Sequence, residues 1–389
     1  MSMISVAEAL ARCLALAPKL PVDDVPLRAA SGRMMAQAAT ARLTQPPFDA
    51  SAMDGYALAA AGAVGNRFQV VGEAAAGHGF SGALTAGQAV RIFTGAPVPA
   101  GAASIAIQED VVRDGNTITL TAPTAPRAHI RPRGQDFAAG DTLAPRVLRP
   151  ADLALLAAMN IPEISVYRRP VVAIMATGDE LVPVGGNPNQ GQIIASNGYA
   201  IAAIAESAGA TARLMPIAPD DREGLAHVFG LARGADVIVT IGGASVGDHD
   251  LVGEVAASLG MERAFWRIAM RPGKPLMAGR LLNAAMLGLP GNPVSAITCA
   301  HLFLVPMLRA MQGQSPEIAV KTAILGADIA ANGPRAHYMR ASLQNGIITP
   351  FASQDSARLA LLANADALLI HPEGAPALPK GTQVSYIPL

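Results

Sequence analysis

Apolar runs and helical patterns alternate along residues 169–312. The segments "PVVAIMAT", "ARLMPIA" and "DVIVTIGG" are typical of buried strands, and the amphipathic stretches "SNGYAIAAIAESAGA" and "DDREGLAHVFGLARG" lie between them. The alternation continues through "DLVGEVAASLG", "RAFWRIAM", "PLMAGRL" and "AAMLGLP" to a closing helix that begins in "NPVSAITCAHLFLVPML". Alternation of this kind predicts a doubly wound, largely parallel sheet with helices on both faces.

The pattern is different on either side of this region. Helical patterns at residues 6–16 and from Arg149 enclose short β-type runs such as "RFQVVGEAAAGHGF" and "SIAIQEDVVRDGNTITL". Beyond Met311 the runs "HYMRASL", "ALLIHP" and "TQVSYIPL" are typical of a small β domain that resembles a barrel. We therefore predict an α/β multidomain protein: a helical linking domain (1–45 plus 140–168), an inserted β domain (46–139), an α/β domain (169–312) and a C-terminal β domain (313–389).

Composition narrows the possible functions. The chain has 389 residues, of which 51% are hydrophobic and 15% charged, and its 29 basic and 29 acidic side chains cancel. This balance argues against a nucleic-acid coat or a polybasic membrane surface, and no uncharged run is long enough to cross a bilayer. The two cysteines lack metal-ligand spacing and are expected to be core thiols. We expect a cytoplasmic protein without nucleic-acid or membrane partners.

Five predicted loops at the ends of strands in residues 169–312 carry polar or glycine-rich segments. Ligands of open α/β sheets bind beyond the carboxyl ends of the strands. Glycines and a helix start favour anions, whereas the carboxylates call for a hard cation such as Mg²⁺ between themselves and phosphate oxygens. The pattern alone predicts an enzyme that acts on a phosphorylated anion with Mg²⁺. The strand-tip candidates are Thr177, Gly178, Asp179, Glu180, Asp220, Gly242, Gly243, Ser245, Asp248, Asp250, Arg271, Lys274 and Asn292.

The motifs "PPFDASAMDGYA", "TGDELV", "GGASVGDHD", "RPGKP" and "GLPGNPVSA", in this order, resemble those of the MoeA and gephyrin E-domain family, the molybdopterin molybdenumtransferases. The resemblance extends over essentially the whole chain. It implies an enzyme of molybdenum cofactor biosynthesis that takes adenylylated molybdopterin and molybdate, releases AMP and uses Mg²⁺. It also implies a homodimer in which the α/β domain of one subunit and the "SAMDGYA" segment of the other share a site.

The resemblance also implies roles for single residues. Asp54, Glu180, Asp220, Asp248 and Lys274 match catalytic positions, with Asp221 the less favoured alternative to Asp220, and Asp248, Asp250 and Glu180 match metal ligands. Arg271 replaces the lysine that is usual at the start of "RPGKP", which keeps the charge but exchanges a point charge for a planar fork. The positions that match substrate and oxyanion contacts are Thr94, Arg271, Lys274, Pro275, Ser295, Arg335 and Ser356.

Two other classes of function stay open on these residues. A CinA-like nucleotide pyrophosphatase would share "TGDEL" but would not require "SAMDGYA" or "GLPGNPVS", and a non-catalytic E-domain-like scaffold would not require the acids at the strand tips. Possible protein partners are the adenylylating enzyme of the pathway and chaperones of molybdoenzymes.

Overall fold

The computed structural model describes residues 3–243 and 251–389, and the chain divides into two compact units. One unit is Met1–Asp23 with Tyr167–Leu389, and the other is Asp24–Val166. The described α-helices are α1 (Val6–Ala15), α2 (Pro150–Ala158), α3 (Asn197–Ser207), α4 (Arg222–Leu231), α5 (Leu251–Ser258), α6 (Pro293–Cys299), α7 (Val305–Met311) and α8 (Leu359–Ala363). Short 3₁₀ turns cover Leu27–Ala29 and Gln108–Asp110, and a π-helical turn at Ala300–Leu304 joins α6 to α7.

The described strands, in chain order, are β1 (Val22–Pro26), β2 (Ala39–Thr40), β3 (Ala50–Ser51), β4 (Gly55–Leu58), β5 (Arg67–Ala74), β6 (Gln88–Ile92), β7 (Ser104–Ile107), β8 (Val111–Asp114), β9 (Thr117–Leu120), β10 (Ile130–Arg131), β11 (Thr142–Leu143), β12 (Glu163–Tyr167), β13 (Val171–Ala176), β14 (Leu181–Val182), β15 (Ile193–Ile194), β16 (Thr211–Leu214), β17 (Val237–Ile241), β18 (Glu262–Trp266), β19 (Met270–Arg271), β20 (Met277–Leu281), β21 (Ala284–Leu289), β22 (Lys321–Leu325), β23 (Ala336–Gln344), β24 (Ile347–Pro350), β25 (Ala367–His371) and β26 (Gln383–Pro388).

The central sheet of the first unit has the strand order β16-β13-β17-β21-β20-β18. Strands β16, β13, β17 and β21 are parallel, and β20 is antiparallel to both β21 and β18. Alternate residues of β13 face opposite cores, as the period of a strand requires: Val172 and Ile174 belong to the core that includes residues of α1, α3, α6 and α7, and Ala173 and Met175 to the core that includes residues of α4 and α5. The predicted doubly wound, largely parallel sheet is confirmed.

The C-terminal part of the same unit is a closed barrel. Its strand order is β23-β24-β22-β26-β25, and β25 pairs again with β23, so that this ring has no free edge. The two-residue strand β19 adds to β23 in parallel, with Arg271 opposite His337. This attachment places the start of the "RPGKP" segment beside the barrel.

The second unit is built around a six-stranded sheet of order β7-β4-β6-β5-β9-β8. Tyr56 and Leu58 of β4 belong to one core and Ala57 to another, which is the alternation expected of a sheet covered on both faces. A third core includes Leu156 of α2 with Met35 and Val166. The four predicted domain boundaries stay a prediction.

The expectation that no run is long enough to cross a bilayer is wrong by length and composition, because one described helical run meets both conditions. It is Pro293–Met311, with a mean hydropathy of 1.6, and 72% of that window is buried inside the protein. Such burial is typical of a core helix. The predicted core thiols Cys13 and Cys299 are both free and buried, and burial raises the pKa of Cys13 to about 12.

Candidate functional site

A cavity of about 830 Å³ lies at the carboxyl ends of the central strands. This is the edge at which open α/β sheets bind ligands. The loops after β13, β17 and β21 contribute most of its lining, and residues near the starts of α4 and α5 contribute the rest together with Pro275, which precedes β20. The lining consists of Thr177, Gly178, Glu180, Asp220, Arg222, Gly242, Gly243, Leu251, Glu254, Pro275, Pro290, Gly291 and Asn292.

The glycines of the cavity wall allow three backbone segments to approach one another. A Cβ on Gly242 would lie 2.9 Å from the carbonyl oxygen of Thr177, and a Cβ on Gly291 would lie 3.6 Å from the Cα of Gly242. Gly242 also has φ +98°, a value that residues with a Cβ rarely adopt. The loops after β13, β17 and β21 therefore meet with little side-chain volume between them, which leaves room for a ligand against the backbone.

Thr177 carries a polar atom that has no partner in the described part of the chain. The residue is 5% exposed, and its Oγ1 makes no hydrogen bond within residues 3–243 and 251–389. A buried hydroxyl without a partner costs about 1–3 kcal/mol. Because Thr177 lines the cavity, a ligand there could satisfy its hydroxyl.

Glu180 is folded back over the backbone of the same loop. Gly178 has φ +143°, and a Cβ at this position would lie only 2.7 Å from both Oε1 and Cδ of Glu180. Glycine at 178 thus allows the carboxylate of Glu180 to take its place on the cavity wall.

Asp179 and Asp220 tie two loops together. The amide of Asp220 donates to Oδ1 of Asp179 at 3.1 Å, and the amide of Asp179 donates to Oδ2 of Asp220 at 3.4 Å. Asp220 lines the cavity, whereas Asp179 does not belong to its lining. The neighbouring Asp221 is the N-cap of α4 and accepts a bond of 2.7 Å from Gly224. This geometry supports the choice of Asp220 over Asp221.

A second cavity of about 510 Å³ adjoins the first and shares part of its wall. Its other lining residues include the apolar side chains of Leu181, Ile193 and Ile194. Asn197, at the start of α3, donates to the carbonyl of Gly291 at 2.7 Å and so braces the shared wall. The residues common to both cavities are Thr177, Glu180, Gly242, Gly291 and Asn292.

The predicted oxyanion residues lie in several places. Pro275 lines the larger cavity, but Lys274 and Arg271 belong to neither cavity. Lys274 is exposed. Arg271 donates through Nη2 to Oδ1 of Asn332 at 3.0 Å, and Asn332 in turn donates to the carbonyl of Arg335 at 2.8 Å. Arg271 is thus linked to Arg335 through Asn332.

Two further predicted contacts, Ser295 and Ser356, lie close to each other. Ser295 is 4% exposed in the first turn of α6, and the amide of its neighbour Val294 donates to the carbonyl of Ser356 at 3.2 Å. Neither serine is part of the lining of the two cavities.

In the second unit, the structure brings Asp54 and Thr94 together. The amide and the hydroxyl of Thr94 both donate to Oδ1 of Asp54 at 2.8 Å. These bonds, with a smaller contribution from the charge of Arg91, hold the pKa of Asp54 below its usual range. The guanidinium of Arg91 stacks on the rings of Tyr56 and Phe93, at 5.1 and 4.7 Å from their centroids. Asp54 is therefore an ionised carboxylate on a braced loop.

Three predicted site residues, Ser245, Asp248 and Asp250, lie outside the described residues. Within residues 3–243 and 251–389, no group of three or more His, Cys, Asp or Glu side chains is arranged to hold a metal ion. Two of the predicted site carboxylates, Glu180 and Asp220, nevertheless line one cavity. Such a pair fits Mg²⁺, because this ion is usually held by one or two carboxylates together with substrate phosphates and water.

The polar lining residues that the sequence reasoning missed include Arg222, Glu254 and Asn197. Arg222 follows the cap residue Asp221 directly and is the first residue of α4. Its position directly after a predicted strand-end loop could have identified Arg222 as a candidate site residue. Glu254 lies within α5 and carried no such signal.

The fold and the cavity define a multidomain α/β protein with a polar cavity at the strand tips of its central sheet. The chain belongs to the MoeA family. Residues 4–160 match the MoeA N-terminal region (domains I and II), residues 173–310 the probable molybdopterin binding domain, and residues 322–389 the MoeA C-terminal region (domain IV).

The relatives match over most of their length. A molybdopterin molybdenumtransferase of Nostoc sp. is 34% identical over 96% of this chain and 91% of that protein. Molybdopterin molybdenumtransferase 2 of Mycobacterium tuberculosis is 34% identical over 92% of this chain and 93% of its own. The crystal structure of the MoeA protein of Pyrococcus horikoshii superimposes with a TM-score of 0.85 at 30% identity, covering 100% of this chain and 99% of that one.

Proposed function

We propose that this protein transfers molybdenum from molybdate into adenylylated molybdopterin and releases AMP in a Mg²⁺-dependent reaction. Molybdenum cofactor biosynthesis and the transferase class follow from its family and its relatives. The substrate form, the AMP and the metal are the finer part of the proposal. The observation that carries it is the glycine-walled cavity of about 830 Å³ with three carboxylates and a threonine hydroxyl that has no partner among the described residues.

The substrate is large and bipartite, and two adjoining cavities suit such a molecule. The larger cavity carries the charged side chains Glu180, Asp220, Arg222 and Glu254, and the smaller one carries apolar side chains. In this proposal the phosphate linkage of the substrate lies against the shared glycine wall, where backbone amides and the hydroxyl of Thr177 donate to its oxygens.

Mg²⁺ would be held by Glu180 and Asp220, together with Asp248 and Asp250, and it would offset charge on the bridging phosphates. Lys274 and Arg271 would hold molybdate, which resembles sulfate in shape and charge, with Arg335, Ser295 and Ser356 as further contacts. Asp54 and Thr94 would serve the cavity of a second copy of the chain. We propose this homodimer, a cytoplasmic location, and contacts with the adenylylating enzyme and with molybdoenzyme chaperones on the family resemblance alone.

The function can be tested by following AMP release from adenylylated molybdopterin in the presence of Mg²⁺, with and without molybdate. The proposal predicts that molybdate stimulates release. Glu180→Gln is expected to abolish most of this activity, whereas Glu223→Gln, a matched change at an exposed residue that does not line the cavity, should not. Release that is indifferent to molybdate would favour a nucleotide pyrophosphatase, and an intact protein without any release would favour a scaffold.

A further inference from the structure

A single arginine lies among the acids of the larger cavity. Arg222 is the only basic side chain in the described lining, beside the carboxylates Glu180, Asp220 and Glu254. Three carboxylates oppose the entry of a phosphorylated ligand, and a planar guanidinium is the side chain best suited to hold a phosphate oxygen pair. Arg222 is therefore the charged side chain of this described wall that interacts favourably with an anion.

In the structure, the guanidinium of Arg222 is engaged by Glu254. Its Nη2 donates to Oε2 of Glu254, across from the first turn of α4 to α5. The two side chains are 66% and 55% exposed. An ion pair at this exposure contributes about 0–1 kcal/mol, so a bound phosphate can displace Glu254 at little cost.

We propose that Arg222 is a substrate-binding residue that holds a phosphate group of the adenylate, and that Glu254 lowers the affinity by competing for the same guanidinium. The proposal deepens the proposed function and rests on it. It makes Glu254 an element that weakens phosphate binding: a ligand without a phosphate leaves the ion pair in place, whereas a phosphorylated ligand must displace Glu254 to reach Arg222.

The test is equilibrium binding of AMP and of adenosine to the full-length protein with Mg²⁺ at low salt, measured by calorimetry. Arg222→Gln should raise the Kd for AMP roughly tenfold, the value of one charge-assisted hydrogen bond, and leave adenosine unchanged. Arg222→Lys should fall between wild type and Arg222→Gln. Glu254→Gln should lower the Kd for AMP about two- to fivefold, and this gain should shrink as salt screens the exposed pair.

Two matched variants control for net charge. Arg233→Gln removes a charge just beyond the other end of α4, and Glu223→Gln removes one from its first turn, and neither residue lines the cavity. An Arg222→Gln variant that binds AMP as the Arg233→Gln variant does would overturn the proposal, as would a wild type that binds AMP no better than adenosine. A Glu254→Gln variant with weaker AMP binding would show that Glu254 positions Arg222 and would refute the competition.

The AMP-release assay separates this inference from the proposed function. Molybdate-stimulated release by wild type, together with unchanged AMP affinity in Arg222→Gln, contradicts the inference alone. Absence of release by wild type contradicts the proposed function, and the inference falls with it.

Discussion

Replacing Gly178 by alanine tests whether the carboxylate of Glu180 must stand at the strand tip. At φ +143° an alanine is strained, and such backbone strain costs about 1–3 kcal/mol. The new Cβ would lie 2.7 Å from Oε1 and Cδ of Glu180. Because these atoms are at the end of a flexible side chain, the overlap is relieved by moving the carboxylate away and not by unfolding the loop.

We therefore expect Gly178→Ala to fold, to lose about 1–3 kcal/mol of unfolding free energy in urea, and to lose AMP release by at least about tenfold. Gly185→Ala is the matched control: Gly185 also has a positive φ, of +87°, but a Cβ there meets nothing within 4 Å. It should lose stability and keep activity. If both variants lose stability alike and both retain full activity, the carboxylate of Glu180 has no role at this position.

Three further predictions address other parts of the account. Lys274→Ala should raise the molybdate concentration that gives half-maximal activity more than it weakens adenylate binding; an effect on adenylate alone would exclude Lys274 from the oxyanion site. Burial, with the nearby charge of Arg271, lowers the pKa of His337 from 6.5 to about 4. As the pH falls, the unfolded chain therefore binds the proton before the folded protein does. About 3 kcal/mol of unfolding free energy should be lost between pH 6.5 and 4. When unfolding free energy from urea denaturation is plotted against pH, His337→Gln should flatten the curve between pH 6.5 and 4. An unchanged slope in this range would contradict the prediction. Asp54→Ala and Asp248→Ala should each be inactive, yet refolding the two variants together should restore roughly a quarter of wild-type activity through mixed dimers. If mixed dimers are shown to form and no activity returns, the shared site is refuted.

The sequence was informative where local chemistry and strand position coincide. The buried run of β17 and the glycines after it predicted a loop at the sheet edge, and Thr177, Glu180 and Asn292 line the cavity there. These residues follow directly on apolar runs whose direction is fixed by the parallel sheet. Their convergence could therefore be expected before any contact was known.

Other features depend on packing that a linear pattern does not contain. The run "RAFWRIAM" was interpreted as one strand, but β18 ends at Trp266, and Met270 and Arg271 form β19, which pairs with β23 of the barrel. The side chain of Arg271 consequently meets Asn332, 61 residues away. Helix α1 likewise packs with the central sheet's core through Ala9 and Cys13.

The pairing of Arg222 with Glu254 shows the same limit for the site. The two residues are 32 positions apart on separate helices, and neither belongs to a motif that the sequence reasoning used. Asp179 illustrates the converse: its motif predicts a ligand contact, and its carboxylate accepts a bond from the amide of Asp220 outside the lining of the larger cavity. Motifs identify candidate residues, and packing decides which of them line the cavity.

In the proposed function, adenylate cleavage is coupled to molybdenum transfer. The most direct measurement is the ratio of molybdenum incorporated into the pterin to AMP released, with the pterin product analysed by mass spectrometry after reaction with adenylylated molybdopterin, Mg²⁺ and molybdate. Coupling predicts one molybdenum atom in the dithiolene product for each AMP. Release of AMP with a molybdenum-free pterin as the product would contradict it.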